Sequence, residues 1–241
     1  MSYKGKGKAP ARKNYYGPVA KRANAYGPAA IQLAKDVAYL ASLVNSEPKN
    51  HTVATSNNVD YNGSVTDLSA IPQGDGAGSR DGVTILPRFL NLRCHVNKKI
   101  TASTADHVTV RFIIFRSWIE DANVPTVPAV GNVIVTTGSA QAPLSHLNDD
   151  ITGSRGDRQR RIEVLRSEMF TLDPVGKTSM DYSYNIEMNG PTVQRKQHMK
   201  FASSSTATAI SGGLYFLIVS DSATAAEIAW TINSKVVFYD N

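Results

Sequence analysis

Runs of alternating apolar and polar residues recur along this chain, and no helical period comes between them. Leu90, Leu92, Cys94 and Val96 fall on one face of Asn91–Val96 and its approach. Val108, Val110, Phe112 and Ile114 fall on one face of His107–Trp118. Glu227–Asp240 alternates through Ile228, Trp230, Ile232, Val236 and Phe238. Arg161–Leu172 reads as one long strand or two abutting ones, Val193–Phe201 as a polar, basic strand, and Gly212–Asp221 as a central strand, apolar on both faces. Successive side chains of a strand point to opposite faces, so a period of two marks a half-buried strand. Gly, Pro, Asn, Asp and Ser bound the runs, as turns require. Without interleaved helices a parallel sheet is disfavoured. Strands with one apolar face each need a second sheet to cover them, which predicts two packed antiparallel sheets. Long connections at 119–160 and 173–192 suit a jelly roll better than a tight meander. The expected fold is all-β: six or more strands in an antiparallel jelly-roll sandwich over residues 49–241.

Two segments precede that body. Pro28–Asn45 carries Leu33, Val37, Leu40 and Val44 at spacings of four, three and four, one face of a helix. Pro28 suits a first helical turn and Pro48 lies just past the end, so an amphipathic helix is expected over 28–46. It either packs on its own body or lines an inner wall. Residues 1–27 are rich in Gly, Ala, Pro, Lys and Arg and poor in large aliphatics. Such a segment buries too little apolar surface to offset its chain entropy, and is expected to be a flexible or extended arm unless a partner holds it.

Charge divides at the same place. The 241-residue chain has a net charge of +6, from 26 Lys and Arg against 20 Asp and Glu. Residues 1–35 hold eight cations and no acid, which leaves 18 cations against 20 acids for the rest. A near-neutral body with a cationic leader points to a polyanion partner. Lys4, Lys6, Lys8, Arg12, Lys13, Lys21 and Arg22 are the phosphate-binding candidates, with Tyr15 and Tyr16 placed to stack on unpaired bases. Nothing in the arm resembles a base-reading device, so binding is expected to be blind to sequence. Arg111, Arg116, Arg195, Lys196 and Lys200 are weaker candidates for a basic surface on the body. The same charges would serve a solubilising or nuclear-targeting tail.

Other chemistry finds little support. The single cysteine, Cys94, forms no intrachain disulfide, and its place in an apolar alternation predicts a buried thiol. No apolar signal region opens the sequence, and the longest apolar run, Leu214–Val219, is far too short to span a bilayer. The sequons at Asn50 and Asn62 are read as chance. Gly176–Thr178 looks like part of a phosphate loop, but Thr171 stands where that loop needs its first glycine. Gly74–Ser79 lacks the flanking strand and helix of a dinucleotide cradle and is expected to be a flexible connection. His51, His95, His107, His146 and His198 show no metal-ligand spacing, and no serine lies in a nucleophile elbow. Glu120-Asp121 and Asp149-Asp150 are read as solvated loop carboxylates ahead of an intersubunit calcium site. Arg155-Gly156-Asp157 is read as coincidence. No enzyme activity, cofactor or metal is expected.

Several stretches resemble one known group. Ile71–Arg93 (IPQGDGAGSRDGVTILPRFLNLR) resembles the lead into the first jelly-roll strand in capsid proteins of circular single-stranded DNA viruses that encode a replication initiator, the circovirus-like group. Val110–Trp118 resembles the strand that follows, Arg161–Leu172 that group's R..VL.D..FTL segment, and Gly212–Asp221 and Val236–Asn241 its last two strands. Ser167 departs from the expected acid, and the arm holds fewer arginines than circovirus-type capsids. Satellite plant virus coats share the single jelly roll, so RNA cargo stays open beside single-stranded DNA. The resemblance implies a single eight-stranded antiparallel jelly-roll sandwich and a structural protein that self-assembles, as 60 copies with T=1 symmetry, into an icosahedral virion. The arm would package the genome, assembly would pass through the host nucleus, and no membrane would take part. The alternatives are a non-viral or monomeric single-strand nucleic-acid binding β-barrel module and a cupin-type jelly-roll enzyme.

Overall fold

The computed structural model describes residues 48–99, 106–118, 127–147, 162–188, 198–203 and 206–240. The expected arm and the expected helix lie outside them. Ten strands follow in chain order: β1 (Pro48–Val59), β2 (Ser64–Asp67), β3 (Thr84–Lys98), β4 (Val108–Ser117), β5 (Ile162–Leu172), β6 (Ser179–Glu187), β7 (Met199–Phe201), β8 (Ala209–Ser211), β9 (Gly213–Ser220) and β10 (Ile228–Asp240). Two short 3-10 turns, Val130–Asn132 and Ala142–Leu144, lie between β4 and β5.

Every pairing of these strands is antiparallel. Leaving aside the short β7 and β8, the strands form two sheets of four, ordered β1-β10-β3-β6 and β2-β9-β4-β5. The pairs β1 with β10, β2 with β9, β3 with β6 and β4 with β5 are nested. The chain thus behaves as one long hairpin, closed at β4–β5 and rolled so that successive pairs fall in opposite sheets. That strand order is the eight-stranded jelly roll.

The alternations seen in the sequence face each other across the sandwich. Leu90, Leu92, Cys94 and Val96 of β3 meet Val110, Phe112 and Ile114 of β4, with Trp230, Ile232, Val236 and Phe238 of β10, in one core. Phe112 stacks on Phe216 at 5.5 Å and meets Tyr182 edge-on at 5.0 Å. β9 is apolar on both faces because both are covered. Its outward residues Tyr215, Leu217 and Val219 pack with Ile113 and Phe115 under Val133, Ile134 and Ala142, which form a second core. The long connection after β4 is therefore partly a cover: its described part, 127–147, closes the outer face of the four-stranded sheet.

Two expectations need correction. The connection expected at 173–192 contains β6, which turns Met180, Tyr182, Tyr184 and Ile186 inward. Ile71–Arg93 leads into the third strand rather than the first; two strands, β1 and β2, precede it. Of the basic strand expected at Val193–Phe201, Met199–Phe201 is strand and residues 193–197 lie outside the described residues.

Candidate interaction surfaces

The arm candidates Lys4, Lys6, Lys8, Arg12, Lys13, Tyr15, Tyr16, Lys21 and Arg22 lie outside the described residues, as do Arg195 and Lys196. The other cations of the body have separate fates. Arg116 is buried, with its guanidinium 4.6 Å from the Trp118 ring. Burial lowers its pKa to about 10, a shift that Glu163 partly opposes. It is a packed side chain and not part of a basic surface. Arg111 donates from Nε to Ser167 Oγ at 3.1 Å and from Nη1 to the Ser145 carbonyl at 2.6 Å. It lines an open depression with Leu144, His146, Leu147, Ser167 and Met169. Lys200, on β7, is exposed.

The open face of the β1-β10-β3-β6 sheet is built of short polar side chains. The register sets Thr52, Lys235, Asn91 and Asn185 in one row, and Ala54, Asn233, Arg93 and Ser183 in the next. Ser56, Thr231, His95 and Asp181 form a third, and Asn58, Ala229, Asn97 and Ser179 a fourth. Residues two apart on a strand share a face, so these rows present amides and hydroxyls to solvent. Arg93 and Lys235 share this side with Arg88, 5.5 Å from the Tyr239 ring, and with Lys99, which donates to Asn58, against Asp181 and Glu187; His95 Nδ1 lies 2.7 Å from Asp181 Oδ1. This face offers hydrogen bonds and a small excess of positive charge. Attraction to phosphate on the scale that governs nucleic-acid affinity would have to come from elsewhere in the chain.

The glycine-rich segment expected to be a flexible connection is anchored by Arg80. Its side chain is buried and reaches backbone carbonyls of Ile71 (3.2 Å), Gly82, Ser203 (2.8 Å) and Thr206 (2.7 Å). Its guanidinium sits 4.0 Å from the Phe201 ring. The backbone closes on itself through Arg80 N to Pro72 O at 2.9 Å and Gly74 N to Arg80 O at 3.0 Å. The far side of the loop is fixed to the start of β1 and the end of β10. Lys49 Nζ lies 2.8 Å from Asp81 and 3.2 Å from Asp240, and Asp240 also accepts from the Asp81 amide. Burial opposes the Lys49 charge, but these two carboxylates outweigh it and raise its pKa. The sequence signal was a single arginine within a loop of small residues, a place where a charge needs either water or many acceptors.

Lys98 is buried and Asp67 partly so. Lys98 Nζ, withdrawn from solvent, lies 3.1 Å from Glu227 and donates to the Asp106 carbonyl. Asp67 accepts from the Ser69 amide at 2.8 Å and the Ser69 hydroxyl at 2.9 Å. Its Oδ2 is buried without a well-formed hydrogen bond. Desolvation raises its pKa; the Ser69 bonds, the Thr208 hydroxyl and His51 only moderate the shift.

The five histidines occupy separate places: β1, β3, the approach to β4, the 127–147 cover and the approach to β7. Among the described residues no three His, Cys, Asp or Glu side chains are grouped to hold a metal ion. Cys94 is buried in the main core, and burial pushes its thiol up to about 12, far from a reactive thiolate. Glu120-Asp121, Asp149-Asp150 and Arg155-Gly156-Asp157 lie outside the described residues.

No protein-family model matches the chain, and no curated protein does. Among solved structures, one of Desmodium yellow mottle tymovirus aligns over 81% of this chain and 88% of its own, at 10% identity and a TM-score of 0.34. The VP2 subviral particle of infectious bursal disease virus aligns over 81% of this chain and 33% of its own, at 9% identity and a TM-score of 0.27. T=1 particles derived from infectious bursal virus align over 80% and 40%, at 12% identity and a TM-score of 0.15. Similarities this weak add nothing to the strand order, on which the fold assignment rests.

Proposed function

We propose that this protein is a structural capsid subunit, assembling through its jelly roll into a small closed shell and gathering single-stranded nucleic acid with its basic leader. One conjunction carries the reading: a jelly roll of eight strands preceded by residues 1–35, which hold eight cations and no acid. The fold alone does not decide, because capsid, lectin and cupin domains all use jelly rolls. The leader separates them. A cationic segment attached to a near-neutral body concentrates phosphate-binding charge at one end of the chain. A cupin centre would need convergent histidines, and among the described residues no three metal-ligating side chains are grouped.

In this reading the shell is icosahedral, built of 60 copies in a T=1 arrangement, and the cargo is single-stranded DNA. The mature protein resides in the virion and passes through the host nucleus. Sedimentation of the purified chain tests the assembly: megadalton particles are expected, whereas a species near the 26.0 kDa chain mass would favour the monomeric binding module. Deleting residues 2–27 tests the leader: the body should fold and nuclease-resistant cargo should fall. Particles with undiminished cargo would overturn the assignment of the leader, and nuclease digestion with DNase or RNase identifies the cargo.

A further inference from the structure

We propose that the outer edge of β5 is a self-complementary contact that joins two copies of this chain across a two-fold axis at Ser167. The inference rests on the shell-forming reading and names one of its contacts. β5 ends the four-stranded sheet, and no described strand pairs with its outer edge. It runs for 11 residues, so its free edge presents a row of backbone donors and acceptors. A two-fold contact is isologous: each residue of one copy meets its counterpart from the other in reverse order. In an antiparallel pair centred on Ser167, that order sets Arg166 opposite Glu168 of the second copy, and Glu168 opposite its Arg166.

The side chains support this register. Arg166 and Glu168 pair with Ile114 and Phe112 of β4, so both lie on the face of β5 turned toward the main core, where opposed residues of two paired strands would meet. Opposite charges directly across an antiparallel pair attract, and like charges repel. Ser167 lies on the other face, exposed and uncharged. An acid at that position would set two carboxylates against each other on the axis; serine removes the conflict. Beside Ser167, Met169 is 54% exposed and Leu144 is 67% exposed, and both line the depression around Arg111. A second β5 laid along the edge would cover this apolar rim, the kind of surface that marks a protein contact.

The test uses the full chain with Ser167→Cys, Arg166→Glu, Glu168→Arg and the Arg166→Glu/Glu168→Arg double variant, each checked for folding by circular dichroism. Opposed Cα atoms of antiparallel strands stand about 4.5–5.5 Å apart, within reach of a disulfide. Ser167→Cys should therefore give a covalent dimer under oxidised glutathione, and the buried Cys94 should give none in the parent chain. Each single charge variant should weaken self-association about tenfold or more, and the double variant should restore it to within about threefold. If the parent chain assembles but Ser167→Cys fails to cross-link, or Arg166→Glu assembles as the parent does, this contact is overturned and the shell reading stands. If the parent remains a single-chain species at every concentration, both fall together.

Discussion

Arg80 directs its guanidinium at four backbone carbonyls from two separate loops and stacks on Phe201. Replacing it with Met would leave those buried acceptors without donors, and each unsatisfied one costs about 1–3 kcal/mol. With partial relaxation, the expected loss is about 3 kcal/mol or more, read as a lower urea midpoint at unchanged slope. Arg80→Lys should lose nearly as much, because an ammonium cannot supply the planar fork. Asp67 acts in the opposite sense. Its folded pKa is raised by desolvation, so the folded state holds the proton more tightly than the unfolded chain does. The stability from that proton is complete below the ordinary carboxyl value of 3.8 and is lost as pH rises through the raised one. Thermal unfolding of the parent should therefore show a decline over that window. Asp67→Asn, which does not titrate, should lack this decline.

At the scale of elements, the cover over the four-stranded sheet is the part whose contribution is easiest to isolate. Ile134 is fully buried against the outward face of β9 and β4, whereas Val175, at the turn between β5 and β6, is 91% exposed. Ile134→Ala should cost about 2–5 kcal/mol, and Val175→Ala should change stability by no more than about 0.5 kcal/mol. Chemical denaturation of the two variants side by side checks the contrast. The same distinction explains which strands were legible in the sequence. β3 and β10 each put bulky apolar residues on one face, because that face meets the main core, and β9 and the second half of β4 show two apolar faces because the cover adds a second core. β1 is an edge strand whose core-side positions include Lys49, His51, Thr55 and Asn57, opposite Phe238, Val236, Ile232 and Trp230. Half-covered positions tolerate polar residues, so the alternation there has no apolar signature. β6 does alternate, but its inward Tyr182 and Tyr184 are amphipathic and its neighbours are Ser, Asp and Asn, which read as turn residues. Of the interaction surfaces, the polar rows on the open sheet face needed the strand register, which no single strand contains. Arg111 and Arg116 looked alike as cations, and only packing separates a half-buried arginine on a depression from one held under Trp118.

Across the whole molecule, the shell reading imposes an electrostatic condition that the single chain does not. Each leader carries seven cations through Arg22, against a body of 18 cations and 20 acids beyond residue 35. Gathering many leaders into one interior concentrates like charge, and closing the shell becomes unfavourable unless phosphate or salt offsets it. Two measurements follow from the same charges. Binding of the full chain to a single-stranded oligonucleotide should weaken with salt at a log–log slope steeper by about 5 than that of the chain lacking residues 2–27, since each phosphate contact on a single strand contributes about 0.7. Assembly without nucleic acid should respond in the opposite direction. Raising salt from 0.05 to 0.5 M shortens the screening length to well under about 10 Å, so the full chain should assemble more readily as salt increases. The shortened chain should depend much less on salt, because its near-neutral bodies have little repulsion to screen. If both chains assembled with the same salt profile, the leader would not be where the charges meet. The cation-rich segment would then act outside the shell or on single chains, whatever the sandwich itself can build.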